Sequence, residues 1–273
     1  MKSFSRFERI DRRLIFSLMA LAVIIPMLSG IKFPAVDVSE PARNAFLAVD
    51  RLPPGSAIIL SIDYDASSMP EVHPMLLAVL RHAFKKNLKV ILLGHWPTGM
   101  PLGTLGLEMV AKEFNKKYGE DYVNLGYRPG TVSVMVGLGK EIRDFFKSDV
   151  NGTPLDSLKM MQKIHNYNDI RLLAGLEAGD TIEFWIIYAQ ARFGLKMIIG
   201  TTAVMAPLAY PYLQSKQLQG LLGGLKGAAE YETLLKNPSI GVLGMFSQSV
   251  GHLLILLFIL LGNLGYFLTR KKP

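Results

Sequence analysis

The chain has no cysteine in its 273 residues. That excludes a disulfide framework, a zinc–thiolate site and a thiol nucleophile. It is compatible with an oxidising exterior without requiring one. Two common catalytic signatures are also missing. Gly137-Leu138-Gly139-Lys140 has neither the upstream glycine nor the following Ser/Thr of a phosphate loop, and no G-x-S-x-G elbow occurs. His73, His82, His165 and His252 lack metal-ligand spacing. Basic residues are scarce where a nucleic-acid surface would need them. The formal net charge is +8, but residues 1–13 supply +3 of it and Arg270-Lys271-Lys272 another +3, leaving +2 for the other 257 residues. Nucleic acid is not an expected partner.

The charge sits instead beside long apolar runs. Leu14 to Ile31 carries no charge and follows the basic MKSFSRFERIDRR. At 1.5 Å per residue it reaches about 27 Å, just enough for the hydrocarbon core. A cleaved signal peptide is the competing reading, but Met27-Leu28-Ser29 puts a bulky residue where a small one belongs. From Ser249 the chain reads SVGHLLILLFILLGNLGYFLT before its basic tail, with Tyr266 placed as an interfacial aromatic. Asn263 within it would bond a partner helix or lie near headgroups. Met197–Leu213 is also apolar, but Pro207 and Pro211 and the nearby Arg192 and Lys196 mark it as a buried strand plus loop. Positive flanks on one side require an even number of crossings. The expected layout is a basic cytoplasmic segment 1–13, a span 14–31, an extracytoplasmic domain 32–248, a span 249–269 and a cytoplasmic tail 270–273. The protein would then lie in the cell membrane, in contact with its lipid, with both termini inside.

Within 32–248, Ser39 and Pro41 open a short helix that Pro53-Pro54-Gly55 stops. Ala57–Ile62 is apolar almost without alternation, as in a strand covered on both faces. Ser68 and Glu71 match a capping box before a helix with Leu76, Leu77, Leu80 and Phe84 on one stripe and Asn87 as its C-cap. Strands follow at Lys89–Leu93, Tyr122–Tyr127, Ile170–Leu176 and Lys196–Thr202. Helices are expected over about 102–118, 132–146, 154–164 and 181–193. Alternation of this kind predicts an α/β, Rossmann-like domain with a mostly parallel sheet and helices on both faces.

Sites in such sheets form at the carboxyl ends of strands. The first strand runs into Asp63-Tyr64-Asp65-Ala66-Ser67, which resembles the first motif of haloacid-dehalogenase-type phosphatases. The resemblance implies Asp63 as nucleophile, Asp65 as general acid and Mg²⁺ between carboxylates. Thr98-Gly99 and Gly179-Asp180 with Glu183 echo later motifs of that family; its lysine has no counterpart that stands out. Plain turn chemistry accounts for the same Asp and Ser residues. His95 after the second strand would pair with Asp63 as metal ligand or base, or serve as a structural hydrogen-bonder. Trp96 would stack on a ligand or cover the rim. Arg128 would take an anionic group or a surface ion pair.

Ala206–Glu232 is the most unusual segment, the start of a Gly/Ala-rich stretch expected to be helical over 206–236. Pro207, Tyr210, Pro211 and Tyr212 suggest a rigid aromatic loop. Gly220, Gly223, Gly224, Gly227 and Ala228 recur at three- and four-residue spacing, which on a helix makes a groove for another helix. That groove would serve assembly, cradle a ligand or pack on the domain's own sheet. Together with the strand-ending Asp-Tyr-Asp, this segment resembles a family of uncharacterised prokaryotic membrane-anchored proteins. The resemblance implies no activity or site. Three functions are therefore expected to compete. The first is a binding or scaffold module that associates with itself or other membrane proteins. The second is a Mg²⁺-dependent phosphoester hydrolase using Asp63 and Asp65 with His95 or Asp180. The third is a solute receptor using the strand-end crevice as a pocket; Trp96, Arg128 and Asp180 are the candidate ligand-binding residues.

Overall fold

Ala57–Asp63 (β1) is buried at every position, because its apolar run must be covered on both faces once it lies inside a parallel sheet. The computed structural model describes residues 11–29 and 36–269. The basic ends 1–10 and 270–273, and the last two positions of the expected first span, lie outside them. Five further strands flank β1: Lys89–Gly94 (β2), Tyr122–Tyr127 (β3), Ile170–Glu177 (β4), Met197–Thr201 (β5) and Gly220–Gly223 (β6). Their order is β3-β2-β1-β4-β5-β6 and every pairing is parallel. The order reverses between β1 and β4, which is the switch point where doubly wound sheets open a crevice.

Helices cover both faces. Glu40–Asp50 (α2), Met69–Lys85 (α3), Met100–Glu113 (α4) and Gly224–Leu234 (α9) share one core layer with Ile58, Leu60, Ala174, Leu176 and Ile198 of the sheet. Thr131–Leu138 (α5), Thr181–Trp185 (α6), Ala191–Phe193 (α7) and Ala206–Gln214 (α8) lie over Ile59, Leu173 and Ile199 on the other face. A π-helical stretch, Ile186–Gln190, joins α6 to α7. These helices and the sheet form one compact unit, Ala35–Gly241.

Several local expectations change. Asn87 does take the left-handed conformation, at φ 56°, but the capping box does not form. Ser68 turns back to Asp65, and Glu71 reaches across to accept from the Ala203 N–H at 2.8 Å. The helix expected to 118 stops at Glu113. Those expected over 132–146 and 154–164 reduce to α5 and single 3-10 turns, because Gly137 brings the Phe145 ring onto the backbone and folds the chain back.

The 206–236 segment departs furthest. Pro207 sits in the first turn of α8, where its missing N–H has no partner to lose, so the expected loop is a helix. Gly220 and Gly223 belong to a strand, since Gly220 lies directly against the α2 backbone at Ala45.

The second unit contains Arg12–Leu28 (α1) and most of Ile240–Thr269 (α10). Among the described residues, Ile240–Phe267 is the one helix long and apolar enough to cross a membrane. It starts nine residues before the expected span, and its 28 residues extend about 42 Å. At 17 residues α1 reaches only about 25 Å, so the full first span is not shown. Along α1, and along α10 from Gly251 onward, the covered positions fall three or four apart: Ile15, Met19, Ala22 and Pro26 on α1, and Gly251, Leu254, Phe258, Leu261 and Gly265 on α10. A Cβ added at Gly251 would meet Met19 Cε at 3.9 Å, as in a seam of heptad-spaced contacts. Asn263 donates to its own helix, to the Ile259 carbonyl at 2.8 Å.

Candidate functional site

Parallel register aligns the ends of four strands at the carboxyl edge. Asp63 lies opposite Glu177, and Glu177 opposite Thr201. Side chains two apart share a face, so Ser61 and Asp63, Gly175 and Glu177, and Ile199 and Thr201 all point toward the α5–α8 layer. His95 follows β2 by one residue and completes a polar row across the switch point. Asp63 and Glu177 are both fully buried. Gly175 makes the room: a Cβ there would strike the Glu177 carboxylate.

The hydrogen bonds distribute charge unequally within this row. Asp63 Oδ1 accepts from the His95 N–H at 2.5 Å and the Trp96 N–H at 3.0 Å. Its Oδ2 accepts from Ser61 Oγ at 2.5 Å, and Ser61 in turn accepts from Trp185 Nε1 at 3.2 Å. With Ser61 receiving the indole N–H, its own hydroxyl proton points at Asp63. Three donors thus converge on Asp63. Glu177 has none in hydrogen-bond geometry: both its oxygens are buried without a partner, as are Thr181 Oγ1, Thr201 Oγ1 and both ring nitrogens of His95. Burial pushes the Asp63 carboxyl up to about 6 against the pull of its donors. Burial, then the Asp63 charge, hold Glu177 well above the usual carboxylate range, and the nearby Thr181 hydroxyl offsets only part of this. The same row therefore pairs a carboxyl held by three donors with one held by none, and burial disfavours the charge on both.

The expected site residues separate. His95 does lie beside Asp63, but through its backbone N–H. Its ring packs on Trp185 at 5.3 Å, and burial holds it down to about 4, so it is neutral. Asp65 is half-buried and turned into its own loop, accepting from Ser67 Oγ at 2.6 Å and from Ser68. Those bonds, Ser67 first, keep it below the usual carboxylate range. Trp96 covers the loop after β4, where a Cβ on Gly179 would meet its ring at 2.6 Å. Asp180 is exposed at the start of α6, and Arg128 lies over the Phe146 ring at 6.0 Å. Neither side chain is hydrogen-bonded to the row, although the Asp180 charge acts on Glu177. Gly220, Gly224, Gly227 and Ala228 are buried inside the domain against Ala45, Ala203 and Leu222, and Gly223 abuts Ala206. The expected groove for another helix is filled by the domain itself.

Sequence reasoning missed Glu177, Thr181, Thr201, Ser61 and Trp185. One signal was available: Ile170–Glu177 ends an apolar strand in a carboxylate, as β1 does. The donor set does not fit Mg²⁺. Both Asp63 oxygens face donors, Asp65 faces away, and among the described residues no three His, Asp or Glu side chains are grouped to hold a metal. Compared with protein-family models, curated proteins and solved structures, the chain matches none.

Proposed function

We propose that this chain is a two-pass membrane protein that holds an α/β binding module outside the cytoplasm and joins a membrane-associated assembly. Uncovered apolar surface is the observation that carries this reading. Leu253 and Leu260 on α10 are each 67% exposed, and α1 exposes Leu14, Phe16, Leu21, Ile25 and Leu28. Side chains of this kind on two helices with a shared seam suit lipid. The basic residues at both chain ends favour a cytoplasmic location for both. Both ends of the domain are tied to α9, Ser39 by Glu230 and Ser239 with Gly241 by Glu232. Ends held on one helix suit attachment to one membrane face.

The binding surface is the outward side of α8 and the turn that precedes it. Val204 is 84% exposed, Leu208 62% and Tyr210 48%, and no charged residue occurs from Thr201 to Ser215. An uncharged apolar face of this kind fits a protein partner, a second copy of this chain or another membrane protein.

The lack of cysteine makes any introduced one unique. In intact cells a membrane-impermeant maleimide is expected to label Ser215→Cys, and Ser3→Cys only after lysis. The opposite pattern removes the topology. Native electrophoresis in mild detergent is expected to show a species above monomer mass, which Leu208→Glu lowers. A monomer in both cases removes the assembly.

The solute-receptor reading has a cleft of about 130 Å³ in its favour, lined by Gly179, Asp180, Ile182, Glu183, Met205, Leu208 and Tyr212 at the ends of β4 and β5. A rise in melting temperature with one member of a metabolite panel would support it over assembly.

A further inference from the structure

We propose that Glu177 is a buried proton-binding site whose proton keeps the carboxyl edge of the sheet closed. The hydrogen-bond inventory carries the assignment. Asp63 is surrounded by three donors and needs its charge to satisfy them, whereas Glu177, opposite it in register, is bonded to none. An ionised carboxylate buried without a bonded donor is among the costliest groups a fold can contain, and a second charge beside Asp63 adds repulsion. The neutral acid avoids both costs.

Among the described residues no cation compensates. The charged groups that act on Glu177 are Asp63 from β1 and Asp180 from the start of α6, both acidic. Around the row stand the neutral His95 ring from the loop after β2, Thr201 from β5, and Thr181 and Trp185 from α6. Gly175 supplies the space in β4 that admits the carboxyl.

Proton loss acts on two elements through Asp63. Its Oδ1 holds the loop at His95 and Trp96, and its Oδ2 holds Trp185 of α6 through Ser61. Charge on Glu177 repels the carboxylate at the centre of that network, so the loop and α6 loosen together. The π-helical stretch directly after Trp185 is a form of helix that recurs at functional sites. The site therefore binds solvent protons and couples their release to opening of the switch-point crevice. It holds whichever way the domain faces.

The experiment uses the full-length protein in detergent. Infrared spectra in D2O at neutral pH are expected to show a carboxylic-acid C=O band that disappears in Glu177→Gln and persists in Asp63→Asn. No such band in the wild type, or a band that survives Glu177→Gln, overturns the proposal. If Glu177→Gln does not fold, the wild-type melting temperature decides. Above pH 6.5 it is expected to fall as pH rises toward 9, and a flat or rising profile overturns the assignment.

Discussion

Gly175 and Glu177 illustrate how a single hydrogen atom at one position makes room for the carboxyl at another. Adding a Cβ at 175 forces it against the Glu177 carboxylate and to within 2.8 Å of Ile199 Cδ1. Gly175→Ala is therefore expected to cost about 1–3 kcal/mol, as overpacking does. Glu177→Ala in the same chain should recover part of that, read by urea denaturation as a non-additive double mutant. Gly224 has a different constraint. Its φ is +60°, and a Cβ would come within 2.8 Å of Ala203 Cβ, so Gly224→Leu is expected to unfold the domain rather than dissociate an assembly.

The buried titratable groups also set a pH dependence with opposing signs. Asp63 rises from 3.8 to about 6 on folding, so its contribution is full below about 4 and is lost as pH rises through 6. His95 falls from 6.5 to about 4, so its contribution is present above 6.5 and is lost as pH falls toward 4. His73 and His82 shift downward as well, by burial, and add to the His95 effect. Between pH 4 and 6.5 the carboxyl and the histidines offset one another. Asp63→Asn removes one side of that balance. Its melting temperature is expected to drop more steeply than the wild type's between pH 6.5 and 4, and an equal or shallower drop would contradict the balance.

At the scale of elements, α9 acts as a clasp. Glu230 Oε2 accepts from Ser39 Oγ at 2.9 Å, and Glu232 accepts from the Ser239 N–H at 2.8 Å and the Gly241 N–H at 2.9 Å. Arg81 of α3 adds a bond to Ser239. Both glutamates are nearly buried, so each loss leaves backbone or hydroxyl donors without an acceptor. Glu232→Ala is expected to cost about 1–3 kcal/mol. It should also speed proteolysis at 235–239 while leaving the sheet core protected. Cleavage no faster than in the wild type would show that the clasp does not hold. The helix itself was legible only in part. Its glycines fall at helical spacing in sequence, but Gly220 and Gly223 obey the sheet, where close approach to α2 matters more than local periodicity.

Over the whole molecule, the α/β class, five of the six strands within one or two residues, and the apolar C-terminal helix were readable from the chain. An uninterrupted apolar run such as Ala57-Ile58-Ile59-Leu60 has few other stable fates, and a charge-free run such as Ile255–Leu261 has fewer. These are local properties, set by hydrophobicity and turn residues that act over a handful of positions. The carboxyl-edge row was beyond that reach. Asp63 and Glu177 lie 114 positions apart, and only the strand order sets them side by side. Whether a carboxylate is charged depends on which donors the folded chain brings to it, and donors such as the His95 and Trp96 N–H groups are invisible in sequence. The chain by itself determined where apolar segments must be hidden. Tertiary structure alone decided which polar groups are hidden with them, because desolvation is a property of the assembled neighbourhood and of no residue alone.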